Sequence, residues 1–165
     1  MLLTPGLLDR AIDSTFLEKW ISRRGNTEMK TMQALVLTPA DDAYGPLRET
    51  IETALRDHSI QPVFLTQQAK AGSIWMSAVT DAIQTADLIV TDVSRDSPNV
   101  LYELGFAHAL RKPILLLWNM ASGTNLPSDL AGYQMLLYDP EKLGFLGYQI
   151  SQFLVHQQSR LRSVA

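Results

Sequence analysis

Cysteine is absent from this chain of 165 residues. The absence excludes a disulfide framework, a thiolate metal site and a cysteine nucleophile, and it is compatible with the cytoplasmic location that we expect. Histidine is scarce too, and the three residues, at positions 58, 108 and 156, are too scattered to predict a metal site. We therefore expect no metal site, and we expect no organic cofactor.

An excess of positive charge is also missing, since 14 lysines and arginines face 17 acidic residues and give a net charge of −3. The chain therefore has no basic footprint for nucleic acid or for an anionic membrane. No apolar run is long enough to span a bilayer, and the first residues do not resemble a signal peptide. We therefore expect neither nucleic acid nor a membrane as a partner.

Residues 1–31 form the first of two predicted segments, an N-terminal helix and a polar linker. The helix is predicted to begin at Thr4-Pro5, and Leu8, Ile12, Phe16 and Trp20 give it an apolar stripe. This stripe needs a partner, which is either the chain's own domain or a second subunit. Together with an apolar C-terminal helix around Phe153, it leads us to expect a homodimer or a larger assembly.

Residues 32–165 form the second segment, where strand and helix patterns alternate. Alternation of this kind predicts a parallel sheet with right-handed crossovers and helices on both faces. Five strands fit a flavodoxin-like, doubly wound α/β fold with strand order 2-1-3-4-5. The predicted strands are 32–37, 61–65, 88–91, 113–117 and 134–138, and the predicted helices are 46–57, 73–85, 98–110 and 148–161.

Such a sheet binds ligands beyond the carboxyl ends of its strands, at the switch point between strands one and three. The loop after strand one, with Thr38 and Tyr44, should face Asp92 and Ser94 after strand three. Asn119, just after strand four, should line the same crevice. The alternative to a role in binding is that Tyr44 is simply a half-buried loop residue and that Asn119 is an ordinary loop cap.

Glu103 is the only acidic residue in an almost wholly apolar helix after strand three. Burial of a charge is costly unless the charge is paired, hydrogen-bonded or used in function. Asn99 lies four residues earlier and therefore on the same helix face. Alternatively, Glu103 forms a surface salt bridge with Arg95 or Arg111. Tyr102, one helical step away, is expected in the core.

The string ADLIVTDVSRDSPNVLYELGFAHALRKPILLL, residues 86–117, resembles the nucleoside 2-deoxyribosyltransferase-like superfamily, and most of all its TIR-like nucleotide-binding branch. The resemblance implies that Glu103 is the nucleophile, and it matches Asp92 and Asn99 to the family's polar positions before and at the start of the helix. The sequence departs from the family pattern at Arg111, where the motif usually has glycine, and it has Thr38-Pro39-Ala40 in place of Met-Pro-Phe.

The resemblance implies cleavage or transfer of the N-glycosidic bond of a nucleoside or nucleotide. A carboxylate at Glu103 would stabilise the oxocarbenium-like sugar or trap it covalently. Asp92 would bind the sugar or help to protonate the leaving base, and Asn99 or Ser94 would hold sugar hydroxyls or orient Glu103. Two alternatives remain within the same resemblance: a TIR-like NAD glycohydrolase, and a nucleotide-sensing domain without turnover.

A phosphoacceptor receiver domain is the alternative from another functional class. It is suggested by the acidic pair Asp41-Asp42 and by Asp92 at the end of strand three. The pair, however, lies three residues past the end of strand one, and Lys112-Pro113 precedes strand four instead of following strand five.

Overall fold

The computed structural model describes residues 31–65, 73–123, 130 and 132–162. The helix predicted near the N-terminus lies outside these residues. The described strands are β1 (Met32–Leu37), β2 (Ile60–Phe64), β3 (Leu88–Asp92), β4 (Ile114–Asn119) and β5 (Met135–Tyr138). The described α-helices are α1 (Gly45–Asp57), α2 (Ser73–Thr85), α3 (Pro98–Ala109) and α4 (Leu143–Arg162).

The five strands form one sheet in the order β2-β1-β3-β4-β5. Every neighbouring pair is parallel. The predicted flavodoxin-like order is therefore confirmed. The carboxyl ends of β1 and β3, which pair directly, mark the switch point of the sheet.

Two hydrophobic cores lie on opposite faces of the sheet, because successive strand side chains point in opposite directions. On one face, Leu88 and Val90 of β3 pack in a core with residues of α1 and α4. On the other, Ile89 and Val93 pack with residues of α2 and α3. This alternation decides which helix pair each polar side chain at the end of β3 faces.

Helix α4 begins at Leu143, five residues before the predicted start. Asp139 accepts a hydrogen bond of 3.0 Å from the backbone N–H of Glu141 and starts a short 3-10 turn that leads into the helix. Glycines at positions 144 and 147 weaken the helical pattern of the first turns. A Cβ at Gly147 would lie 3.4 Å from Thr50 Cγ2, within ordinary van der Waals contact, so α4 packs against α1 at this position.

Helix α3 begins as predicted, with Ser97 extended and Pro98 in the first turn, although the Ser97 side chain makes no capping hydrogen bond. It ends before Arg111, whose φ of 52° is left-handed. Glycine adopts this conformation most readily, and Arg111 is one of two non-glycine residues with a positive φ in the described chain. Lys112 Nζ then donates to the Ala86 carbonyl at 2.8 Å and holds this end of α3 beside the end of α2.

Within the described residues, no helix combines the length and apolar character needed to cross a bilayer.

Candidate functional site

A cavity of about 500 Å³ opens at the carboxyl edge of the sheet, on the face covered by α1 and α4. Three residues predicted for the site, Tyr44, Ser94 and Asn119, line it together. Tyr138, at the end of β5, lines it as well and was not predicted. Apolar side chains from the start of α1 and the start of α4 form part of its wall, including Leu47 and Leu143.

Asp92 lies behind this lining and is fully buried. Its Oδ1 accepts a hydrogen bond of 3.0 Å from the backbone N–H of Ser94. Its Oδ2 accepts hydrogen bonds from the Ser94 hydroxyl at 3.0 Å and from the Tyr138 hydroxyl at 2.7 Å. The Ser94 hydroxyl oxygen in turn accepts a hydrogen bond of 2.6 Å from the backbone N–H of Asn119. We call these four residues, Asp92, Ser94, Asn119 and Tyr138, the Asp92 network.

Burial raises the pKa of Asp92, and the hydrogen bonds from Tyr138 and Ser94 act in the opposite direction. Burial, and then the Asp92 charge, raises the pKa of Tyr138, and the same two causes raise the pKa of Tyr44. Both phenols therefore keep their protons at neutral pH. Tyr138 is a hydrogen-bond donor to Asp92 under these conditions.

The rim of the cavity is formed by the exposed ion pair between Arg95 Nη1 and Asp41 Oδ2, at 2.9 Å. The Ala43 backbone N–H, and then Arg95, lowers the pKa of Asp41. Arg48 crosses the loop after β1, donating to Thr38 Oγ1 at 3.2 Å and to the carbonyl oxygen of Asp41. Thr38 thus holds the loop in this structure, and it is not among the residues that line the cavity.

Glu103 lies on the inward face of α3 with Val100, Leu104 and Ala107. Only 9% of its surface is exposed. It makes no hydrogen bond or ion pair within the part of the chain that the structure describes. Burial alone raises its pKa to about 7. The surface salt-bridge alternative is wrong, since Arg95 pairs with Asp41 and Glu103 is buried.

Glu103 and Asp92 therefore belong to opposite faces of the sheet. Asp92 has the same orientation as Leu88 and Val90, towards α1 and α4, whereas Leu104 beside Glu103 packs in the core of α2 and α3. Asn99 is exposed in the first turn of α3. Neither Asn99 nor Glu103 is among the described residues that line the cavity.

The receiver-domain alternative finds no support in this geometry. A phosphoacceptor must be reachable, but Asp92 is fully buried and both its oxygens accept hydrogen bonds. Lys112 lies at the opposite edge of the sheet, beside the carbonyl of Ala86. In the described ranges, no group of three or more histidine or acidic side chains is arranged to hold a metal ion.

No family model and no curated protein matches the sequence. Solved structures do match. A CMP N-glycosidase from Clostridium botulinum, BcmB, superposes with a TM-score of 0.51 at 17% identity, over 69% of this chain and 97% of that one. A 2-deoxyribosyltransferase from Bacillus psychrosaccharolyticus gives 0.50 at 17% identity, over 70% of this chain and 90% of that one.

The flavodiiron core of Flv1 from Synechocystis also gives a TM-score of 0.50, at 11% identity, over 90% of this chain and 40% of that one. At these identities the matches establish the fold alone. The chain has the α/β fold that is shared by N-glycosidases, deoxyribosyltransferases and flavodoxin-like domains.

Proposed function

We propose that this protein cleaves or transfers the N-glycosidic bond of a nucleoside or nucleotide, with Glu103 as the carboxylate that meets the sugar. The observation that supports the proposal most is the burial of Glu103 with no partner in the described chain. Burial of a carboxylate without a paired charge is costly, and a carboxylate in a cleft whose pKa is shifted by burial is a candidate for function. The fold shared with a CMP N-glycosidase and a 2-deoxyribosyltransferase agrees with that use.

In the proposed reaction, an ionised Glu103 oxygen attacks C1′ of the sugar and the C1′–N bond breaks. The bonding electron pair goes to the base nitrogen, which takes a proton from water or from an acidic group. Water or a second base then attacks C1′ and releases Glu103 as a carboxylate. Positive charge on the sugar is greatest in the transition state, where a nearby carboxylate stabilises it most.

The cavity lined by Tyr44, Ser94 and Asn119 is the proposed binding site for part of the same substrate. Its combination of aromatic and apolar walls with a few hydroxyl and amide groups is typical of small-molecule sites. Thr38 and Asn99 remain proposed substrate contacts at the same edge of the sheet. Asp92, being buried behind the cavity wall, is proposed to act through Ser94 and Tyr138.

Release of free base from nucleosides, nucleotides and NAD, measured by liquid chromatography, tests this function. We expect at least one member of the panel to lose its base, and a second free base added to the mixture to distinguish transfer from hydrolysis. The same assay on Glu103→Gln tests the role of Glu103, and Glu49→Gln is its matched control, because Glu49 is an exposed carboxylate on α1. A panel on which the wild-type protein releases nothing would contradict the proposal.

A nucleotide-sensing domain without turnover is the second candidate. Two features of the cavity favour this candidate. Its polar residues are held in a hydrogen-bond network, and Glu103 is not among its lining residues. Saturable binding of a nucleotide, with no base released by wild-type protein, would favour the sensor.

We also propose that the chain forms a homodimer or a larger assembly. Phe153, which suggested an apolar outer face on the last helix, is buried in the chain's own core. The exposed aromatic residues of that helix are instead Phe145 and Tyr148, whose rings stack at 6.3 Å. Light scattering at micromolar concentration tests the proposal, and a monomer would contradict it.

A further inference from the structure

The hydroxyl groups at the floor of the cavity have their protons committed to Asp92. Tyr138 spans from the edge strand β5, past β4, to the end of β3, and its hydroxyl lies 2.7 Å from Asp92 Oδ2. The Ser94 hydroxyl lies 3.0 Å from the same oxygen. Both residues are almost fully buried, and both line the cavity. The network thus connects an inaccessible carboxylate to two residues that a ligand can reach.

The direction of these hydrogen bonds follows from the chemistry of the groups. An ionised carboxylate can only accept hydrogen bonds, and each hydroxyl has a single proton to donate. Tyr138 therefore uses its proton on Asp92, and the Ser94 hydroxyl, which also lies within hydrogen-bond reach of Tyr138, donates to the same Asp92 oxygen at 3.0 Å. The Asn119 backbone N–H can only donate, and it donates to the Ser94 oxygen at 2.6 Å. The hydrogen bonds therefore run from Asn119 through Ser94 to Asp92. Towards any further group, the Tyr138 oxygen can act only as an acceptor.

We propose that the floor of this cavity selects a ligand group that donates a hydrogen bond, either a sugar hydroxyl or an exocyclic amino group of a base. The proposal rests on the proposed function, because it takes the cavity as part of a nucleoside site. A phosphate or carboxylate would meet an oxygen lone pair with the Asp92 charge behind it. The exposed Arg95, at the rim, is the nearer group for an anion among the described lining residues.

Binding measurements with matched nucleosides distinguish the two donor sources. The amino-to-oxo pairs are cytidine with uridine and adenosine with inosine, and 2′-deoxy and 3′-deoxy derivatives remove one sugar hydroxyl each. Every probe is used as the nucleoside and as its 5′-monophosphate. For wild-type protein, we expect either the loss of the amino group or the loss of one sugar hydroxyl to weaken binding by roughly 10- to 100-fold. The ligand that lacks this donor leaves a buried acceptor of the protein unpaired.

Asp92→Asn tests the cause of that selectivity. The asparagine side chain can donate a hydrogen bond to Tyr138 or Ser94, which releases a hydroxyl proton towards the cavity. The wild-type preference should then fall to about threefold or less, or reverse in favour of the ligand with an acceptor. Tyr138→Phe removes the acceptor and should reduce the preference without reversing it. This second variant keeps the test decisive if Asp92→Asn does not fold.

Equal binding of all members by wild-type protein would overturn the inference, as would an unchanged preference in folded Asp92→Asn or Tyr138→Phe. Base release without any donor preference would refute this inference and leave the proposed function standing. A donor preference that Asp92→Asn removes, with no base release by wild-type protein, would support the inference and contradict the proposed catalysis. Absence of saturable binding by every probe would contradict both.

Discussion

Two buried carboxylates of the described chain, Asp92 and Glu103, differ in their hydrogen bonds. Asp92 is fully buried and accepts three hydrogen bonds, from the Ser94 backbone, the Ser94 hydroxyl and the Tyr138 hydroxyl. Glu103 is nearly as buried, at 9% exposed, and has neither a hydrogen bond nor an ion pair within the described residues. A carboxylate that accepts several hydrogen bonds has a structural role, whereas a buried carboxylate without a described partner invites a functional explanation.

The pKa values express the same difference. Burial raises both, but for Asp92 the hydrogen bonds from Tyr138 and Ser94 oppose it, while for Glu103 burial acts alone and brings the pKa to about 7. The charge of Glu103 therefore changes near neutral pH. The comparison predicts that substitutions at the two positions will have opposite consequences for stability and activity.

Glu103→Asp tests whether position matters as much as charge at this residue. The shorter side chain keeps the carboxylate but withdraws it by about one bond length, and misplacement of a reacting group by about 1 Å costs roughly 100-fold in rate. We expect base release to fall by about that factor, measured under single-turnover conditions. Base release equal to that of wild-type protein would mean that the Glu103 carboxylate does not contact the sugar.

Asp92→Asn should destabilise the fold, because an amide cannot accept all three hydrogen bonds in place of the carboxylate. The expected loss in the free energy of unfolding is about 2–3 kcal/mol at pH 8, measured by urea denaturation. Asp57→Asn, at the exposed end of α1, is the control for a change of charge alone. A stability equal to that of wild-type protein would mean that the hydrogen bonds of Asp92 do not stabilise the fold.

The stability difference between Glu103→Gln and wild-type protein should depend on pH. The folded protein holds the Glu103 proton more tightly than the unfolded chain, whose glutamate has a pKa near 4.5. Stability from this proton is fully present below about pH 4.5 and is lost as pH rises through about 7. The variant should therefore match wild-type protein at acidic pH and exceed it by about 1–3 kcal/mol at pH 8.

Urea denaturation of both proteins at several pH values measures this difference. A constant difference across the range would indicate that Glu103 titrates normally and that its charge is compensated.

Tyr138→Phe removes one hydrogen bond to Asp92 and leaves the aromatic packing at the end of β5. We expect a loss of about 1–2 kcal/mol in the free energy of unfolding, smaller than for Asp92→Asn because the Ser94 bonds remain. Thermal denaturation checks this expectation. If the two losses were equal, Tyr138 alone would account for the stabilisation of Asp92.

Much of the fold could be predicted from the sequence because its signals are local. The apolar strands and the periodic helices define a parallel α/β sheet, and β1 and α2 have the predicted bounds. The helix before Tyr148 was missed because its first turns contain two glycines and depend on packing against α1, which is a tertiary contact. Tyr102 was expected in the core and is 62% exposed, since an apolar helix sequence does not define which side faces the sheet.

The site was predictable in part for the same reason. Tyr44 and Ser94 follow strands and Asn119 ends one, and the carboxyl ends of parallel strands meet at one edge of the sheet. Tyr138 also ends a strand, and that signal was available, but its hydrogen bond to Asp92 joins residues 46 positions apart in sequence. Asp92 and Glu103 lie on opposite faces of the sheet because the side chains of β3 alternate between the faces. The motif alone does not define which face each residue of β3 points to.

Glu103→Gln, assayed for base release and thermal unfolding on the same sample at pH 8, tests the central claim most directly. Glutamine keeps the shape of the side chain and removes its negative charge. We predict that base release falls by about 1000-fold or more, because the lost interaction is strongest in the transition state, while the melting temperature stays equal or rises. Undiminished base release together with a lower melting temperature would contradict the account and make Glu103 a structural residue.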